Sequence, residues 1–246
     1  MSGSTKIRLD QLLVQRCLSE SREKAKALIM SGIVEVEGIR VDKPGRVFPP
    51  SAVIVLKKGE HPYVSRGGKK LEAALRHFPV DVRGKTLLDV GASTGGFTDC
   101  LLRNGALRII AVDVGYGQLD WKLRQDTRIE VLEKTNIRYL KPKDLKGPVH
   151  GAVIDVSFIS LRQVVPPVSA LLLEHSFIIA LIKPQFEVGK GQVGKKGVVR
   201  NPKLHDEVLN RLSTFFRDSG WTIQGHISSP ILGPKGNREF LMYLTR

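Results

Sequence analysis

The chain has few cysteines and no uninterrupted apolar stretch behind its first basic residues. Its 246 residues contain two cysteines, Cys17 and Cys100, whose separation matches no metal-binding or redox motif. We therefore expect both to be reduced core residues of a cytoplasmic protein. The segment after the first basic residues predicts no signal peptide, because four polar residues interrupt it: Asp10, Gln11, Gln15 and Arg16.

An uninterrupted membrane-spanning run is also missing. The best candidate, Val164 to Ile182, contains Pro166, Pro167, Glu174 and His175. A carboxylate near the middle of a bilayer costs several kcal/mol. The same residues divide into an amphipathic helix that ends near Leu173 and a buried strand over 177–182. We therefore expect no stable membrane insertion.

Acidic residues are scarce relative to basic ones. The chain has 24 Asp and Glu against 39 Lys and Arg, a net charge of +15. A charge of this size favours association with polyanions, either nucleic acid or an anionic membrane surface. The 41% of hydrophobic residues is enough for one α/β core with a small domain beside it.

The segment Thr86-Leu-Leu-Asp-Val-Gly-Ala-Ser-Thr-Gly-Gly-Phe-Thr98 has the pattern of a buried strand, a glycine-rich turn and a helix start. Such turns bring backbone N–H groups close to an anionic ligand. A phosphate-binding loop needs a lysine where Phe97 stands. The dinucleotide fingerprint needs a glycine in place of Ser93, which disfavours NAD. The remaining prediction is an S-adenosylmethionine turn, formed by Asp89, Gly91, Ala92, Ser93, Thr94, Gly95, Gly96 and Phe97.

A second apolar run, Arg108 to Val114, contains Asp113 about twenty residues after Gly91. An acid at the end of this strand can accept both ribose hydroxyls of an adenosine. Asp113 is therefore predicted to bind the cofactor as well.

Strand and helix patterns alternate from residue 85 onward, which predicts an α/β, Rossmann-like sheet. We expect an N-terminal α+β domain over 1–60, a linker with a leading helix over 61–84, and a methyltransferase domain over 85–246. Asn201 and Pro202 predict a helix start. Seven strands are predicted, the last two as a hairpin around Gly233 to Gly236: near 86–91, 108–114, 129–133, 151–157, 177–183, 221–229 and 239–245.

The N-terminal pattern includes Ser21-Arg-Glu-Lys-Ala25, Leu28-Ile29 and Gly32-x-Val34-x-Val36-x-Gly38. It resembles the small RNA-binding domain first seen in ribosomal protein S-four, over about fifty residues. The resemblance implies that four basic residues lie on a face that meets RNA phosphates: Arg8, Arg22, Lys24 and Lys26.

Three polar residues lie at or near the ends of predicted strands: Asp155, Lys183 and Glu239. Ligands of such sheets bind at the carboxyl ends of the strands. Together with Lys70 from the leading helix, these three residues resemble the Lys-Asp-Lys-Glu tetrad of RNA ribose 2'-O-methyltransferases. Further motifs are similar to those of the haemolysin-A (TlyA) family of ribosomal-RNA methyltransferases: Tyr63-Val-Ser-Arg-Gly-Gly-x-Lys-Leu71, Asp155-Val-Ser-Phe-Ile-Ser160 and Lys183-Pro-Gln-Phe-Glu187.

This resemblance implies methyl transfer from S-adenosylmethionine to a ribose 2'-hydroxyl of ribosomal RNA, free or in a ribosomal subunit. Lys183 is then the base or alkoxide stabiliser, and Lys70, Asp155 and Glu239 orient the reacting groups. Two other functions are kept as alternatives. A non-catalytic RNA-binding or ribosome-assembly factor would share the charge and the small domain, and a membrane-active haemolysin is suggested only by the name of the family. The oligomeric state is also open.

Overall fold

The computed structural model describes residues 6–57, 62–189, 191–194 and 197–246. The expected boundary between residues 60 and 61 lies outside these ranges. Seven short elements make up the N-terminal part: β1 (Ile7–Arg8), α1 (Leu9–Gln15), α2 (Arg22–Ser31), β2 (Val34–Val36), β3 (Ile39–Arg40), β4 (Val47–Phe48) and β5 (Ile54–Leu56).

These strands form two small antiparallel sheets, β1-β4 and β3-β2-β5. The apolar residues of α1 and α2 recur at helical spacing and pack onto the second sheet, with Leu9, Leu13, Ala25, Ile29 and Val34 in one core. Helix α2 begins after Ser21, whose side chain accepts a hydrogen bond from the Lys24 N–H, and ends at Gly32 in the left-handed conformation.

The larger part begins with α3 and continues to the end of the sequence. Its elements are α3 (Gly67–His77), β6 (Thr86–Val90), α4 (Gly96–Arg103), β7 (Arg108–Val112), α5 (Trp121–Arg124), β8 (Ile129–Leu132), β9 (Gly151–Ile154), α6 (Val165–Ser169), β10 (Phe177–Ile182), α7 (Pro202–Asp218), β11 (Thr222–Ser228) and β12 (Phe240–Thr245).

Seven of these strands form one sheet in the order β11-β12-β10-β9-β6-β7-β8. The strand β12 is antiparallel to both of its neighbours, and the other pairs are parallel. Successive side chains of a strand point to opposite faces, and helices cover both. Leu87 packs with α3 and α4 on one face, whereas Leu88 packs with α6 and α7 on the other. The predicted strands and fold class are confirmed.

Two local predictions are wrong. Cys17 is exposed rather than in the core, although both cysteines carry free thiols. The helix expected to end near Leu173 ends at Ser169, and Pro166 and Pro167 lie in its first turn, where proline is tolerated. Within the described ranges, no helix combines the length and the hydropathy needed to cross a membrane.

Candidate active site

The glycine-rich turn joins β6 to α4, and two of its glycines are required by the backbone. Gly91 has a φ of +83°, and a Cβ there would lie 2.5 Å from the carbonyl oxygen of Asp155. Gly95 has a φ of +93°, and its Cβ would lie 2.3 Å from a methyl carbon of Leu123. Both conformations are costly for residues with a side chain. The turn therefore lies directly against the end of β9 and against α5.

Gly96 and Phe97 serve packing rather than the turn itself. A Cβ on Gly96 would lie 2.9 Å from the backbone nitrogen of Gly68, so the starts of α3 and α4 approach closely. Phe97 is buried in the core with Leu71. Cofactor contact for Gly96 and Phe97 stays a prediction, as it does for Ala92 and Thr94, which line the same turn and are largely buried.

Asp89 lies buried behind the turn. Its Oδ2 accepts a hydrogen bond of 2.6 Å from the Thr98 hydroxyl. Its Oδ1 has no hydrogen-bond partner within the part of the chain that the structure describes. Burial raises the pKa of Asp89 to about 7. Asp89 Oδ1 can therefore accept a further hydrogen bond.

Asp113 follows β7 and fastens two backbone segments. Its Oδ2 accepts from the Ser93 N–H at 2.8 Å and its Oδ1 from the Gly115 N–H at 2.7 Å. Each carboxylate oxygen keeps a second lone pair for a ligand. The cavity beside it measures about 10 Å³, because the Gln118 side chain lies against Gly115 and close to Ser93. An adenosine bound at Asp113 would displace the Gln118 side chain.

Two ion pairs lie at the carboxyl end of the sheet, one partly exposed at Asp155 and one buried on both sides. Lys183 Nζ is 2.5 Å from Asp155 Oδ1 and donates to the Ser157 hydroxyl at 2.9 Å. Lys70 Nζ is 2.5 Å from Glu239 Oε2. The Lys70 side chain is 7% exposed and that of Glu239 0%. Charges this far from water persist in proteins only when they are paired.

The sheet brings the two pairs to the same edge. β10 and β12 are paired up to Ile182 and Phe240, so Lys183 and Glu239 flank that last pair. The Asp155 N–H donates to the Val90 carbonyl, which places Asp155 beside the glycine turn. Lys70 reaches the edge from α3. The four predicted catalytic residues therefore lie at one edge of the sheet as two ion pairs.

An aromatic side chain that our sequence reasoning did not single out projects next to these pairs. Phe158 is 90% exposed and has a φ of +64°. Its ring centroid lies 4.9 Å from that of Phe186. A left-handed backbone at an aromatic residue is an outlier of the kind found at functional sites. The motif spelling contained Phe158, but local sequence gave no sign of its exposure.

The four basic residues predicted to meet RNA do not form one cluster. Arg8 and Arg22 both contact the buried Asp10 carboxylate, at 3.0 Å each, and keep almost half of their own surface exposed. Lys24 pairs with Glu20, and its Nζ lies 5.5 Å from the ring centroid of Trp121 in the larger part of the chain. Lys26 is half-buried on α2. Of the four, Arg8 and Arg22 are therefore the two whose guanidinium groups are held in place by a shared carboxylate.

The seven-stranded sheet with an antiparallel β12, a glycine turn after β6 and an acid after β7 defines the Rossmann-like methyltransferase class. Residues 63–246 match the model of FtsJ-like methyltransferases, and residues 7–54 match that of the S4 domain. The chain belongs to the FtsJ-like methyltransferase family and carries an S4 domain in front of it. The family resemblance inferred from the motifs is thereby confirmed.

Relatives with both parts cover nearly the whole chain. It is 54% identical to the candidate rRNA methyltransferase YqxC of Bacillus subtilis, covering 98% of this chain and 86% of that protein. It is 45% identical to the 16S/23S rRNA (cytidine-2'-O)-methyltransferase TlyA of Mycobacterium tuberculosis, covering 96% and 89%. The structure of a candidate hemolysin from Streptococcus thermophilus matches with a TM-score of 0.77 at 44% identity, covering 99% and 90%.

Proposed function

We propose that this protein transfers the methyl group of S-adenosylmethionine to a ribose 2'-hydroxyl of ribosomal RNA. The observation that carries the proposal is the Lys183–Asp155 pair at the ends of β10 and β9, where the backbone carbonyl of Asp155 lies close to Gly91 of the glycine turn. The second pair, Lys70–Glu239, lies at the same edge. The name of the Mycobacterium tuberculosis relative supports the same reaction and the same class of substrate.

The residues of the turn fit an S-adenosylmethionine molecule. Asp113 retains lone pairs for ribose hydroxyls, and Asp89 has a buried oxygen without a partner in the described ranges. Gly91 and Gly95 let the turn pack closely against Asp155 and Leu123. When bound, the cofactor supplies an activated sulfonium methyl group. The contribution of this chain is therefore mainly to hold and orient the RNA hydroxyl.

Lys183 is the residue that we assign to the proton of the ribose hydroxyl. Its Nζ either takes that proton or, as an ammonium, stabilises the negative charge that develops on the oxygen. Asp155 and Ser157 fix the position of Nζ through contacts of 2.5 and 2.9 Å. Lys70 and Glu239 form a second fixed dipole beside it.

Recognition of the RNA involves both parts of the chain. Arg8 and Arg22, fixed on Asp10, present guanidinium groups suited to phosphate. The exposed ring of Phe158 offers a surface on which a nucleobase can stack. The net charge of +15 attracts RNA over a longer range. Ribosomal RNA or a ribosomal subunit in the cytoplasm is the partner that fits these features.

The test is methyl transfer from labelled cofactor to bacterial ribosomal subunits that lack the modification. Alkaline digestion then separates the two chemistries, because a 2'-O-methyl group blocks cleavage at its own phosphodiester. We expect label in an alkali-resistant dinucleotide. Label in mononucleotides would indicate base methylation and contradict the assignment, and no label despite cofactor binding would favour a non-catalytic RNA-binding protein.

The Lys183→Ala variant tests the residue assignment in the same assay. We expect transfer to be abolished and cofactor affinity, measured by calorimetry, to stay unchanged, since Nζ contacts Asp155 and Ser157 rather than the glycine turn. Lys203→Ala, an exposed lysine at the start of α7, is the matched control. Retained transfer in Lys183→Ala would remove this lysine from the mechanism.

A further inference from the structure

The carboxylate of Glu187 connects the two segments that carry Asp155 and Lys183. Glu187 is 5% exposed. Its Oε2 accepts a hydrogen bond from the Ser160 hydroxyl, and its Oε1 accepts one from the Leu161 N–H, each at 2.7 Å. The segment after β10 therefore holds the segment after β9 at two points, one at Lys183 and one at Glu187.

Phe158 lies between these two points. On one side, Ser157 is bound to Lys183, and on the other, Ser160 is bound to Glu187. A left-handed backbone is strained for an aromatic residue and persists only when its surroundings enforce it. The two anchors and the contact with the Phe186 ring are such surroundings.

Glu187 is itself well fixed. The Arg211 guanidinium, on α7, donates to its backbone carbonyl. Burial raises the pKa of the Glu187 carboxyl, against the opposing effect of the Leu161 and Ser160 hydrogen bonds and of the Arg162 and Arg211 charges. A buried carboxyl group held by two donors and followed by a fixed carbonyl is a rigid connector.

We infer that Glu187 is a positioning residue for methyl transfer, which keeps Ser157 on Lys183 and presents the Phe158 ring to the target nucleotide. Glu187 does this through Ser160 and Leu161. This inference rests on the proposed function, since it names the residue that shapes the same site. It adds a buried connection between the segments that follow β9 and β10.

Three variants test the inference: Glu187→Ala, Glu187→Gln and, as a control, Glu207→Gln, which removes an exposed carboxylate on α7. Single-turnover transfer is measured with saturating cofactor and ribosomal subunits, and rates are normalised to the protein fraction that binds cofactor. Trypsin cleavage after Arg162, followed by mass spectrometry, reports separately on how firmly the segment is held.

We expect Glu187→Ala to lower the transfer rate about 100-fold, the loss that a displacement near 1 Å can cause, and to accelerate cleavage after Arg162. Cofactor affinity should stay within about twofold, because Glu187 does not touch the glycine turn. The Glu187→Gln variant should transfer methyl groups at least about tenfold faster than Glu187→Ala. Its amide oxygen still accepts a hydrogen bond from the Leu161 N–H, and its NH₂ group can donate to the Ser160 hydroxyl.

A Glu187→Ala rate within about twofold of the control would overturn the inference. So would an unchanged cleavage rate after Arg162, because the segment would then be held without Glu187. If instead the proposed function is wrong, the protein without any substitution would transfer no methyl group. The effect of Glu187→Ala on proteolysis would still be measured, so the two failures can be told apart.

Discussion

Replacing Glu239 with alanine should destabilise the protein strongly, because it leaves the Lys70 ammonium buried without its carboxylate. At 2.5 Å the attraction between the two charges amounts to roughly 7 kcal/mol for an effective dielectric constant near 20. Part of this attraction offsets the cost of removing both charges from water. Losing one partner of a buried pair therefore costs about 3–5 kcal/mol of unfolding free energy.

The double variant Lys70→Met/Glu239→Leu separates stability from activity. Both charges are gone and the side-chain volumes are similar, so we expect its unfolding free energy to lie within about 2 kcal/mol of the unmodified protein. Methyl transfer should nevertheless be lost. Urea unfolding followed by far-UV circular dichroism compares the unfolding free energies of the unmodified protein, Glu239→Ala and the double variant.

The control for this comparison is the exposed Asp81–Arg83 pair. Asp81→Ala should change the unfolding free energy far less than Glu239→Ala does, because surface ion pairs contribute little to stability. A loss of less than about 1 kcal/mol in Glu239→Ala would refute the reasoning about the buried pair. Methyl transfer by the double variant would refute the catalytic assignment of Lys70 and Glu239.

Two further predictions concern the RNA face and the glycine turn. Asp10→Asn should weaken RNA binding, because Arg8 and Arg22 lose their common carboxylate partner. The slope of log binding constant against log salt concentration, measured by filter binding, should become shallower by roughly 0.7–0.9 for each phosphate that the variant no longer binds. An unchanged slope would show that Asp10 takes no part in RNA recognition. Gly91→Ala should lower the free energy of unfolding by at least about 1–2 kcal/mol, because its backbone is left-handed. It should also weaken cofactor binding, since its Cβ would contact the Asp155 carbonyl. A cofactor affinity within about twofold of that of the unmodified protein, measured by calorimetry, would contradict this.

The sheet could be predicted from the sequence because its signals are local. Each strand is a short apolar run bounded by glycine, proline or charge, and the α7 start is marked by Asn201 and Pro202. Asp155 and Lys183 could be located for a related reason, whereas the set of four with Lys70 and Glu239 came from the family resemblance. Parallel strands end at one edge, so polar residues that follow Ile154 and Ile182 must lie close together.

The remaining features depend on contacts between residues distant in sequence. The Glu187 hydrogen bonds span 26 and 27 positions, and no pattern around Glu187 announces them. Lys24 turns toward Trp121 because the two parts of the chain meet there, which the helical spacing of α2 does not reveal. Cys17 follows the apolar stripe of α1 but stands in the turn after it, where its side chain is exposed.

The position of β12 has a consequence for the synthesis of the enzyme. This strand lies inside the sheet, between β10 and β11, and Glu239 precedes it. The pair of Glu239 with Lys70 joins residues 169 positions apart. Contacts of such long separation form late, because closing the intervening loop costs entropy. A nascent chain therefore lacks the Lys70–Glu239 pair until β12 has been made and inserted into the sheet.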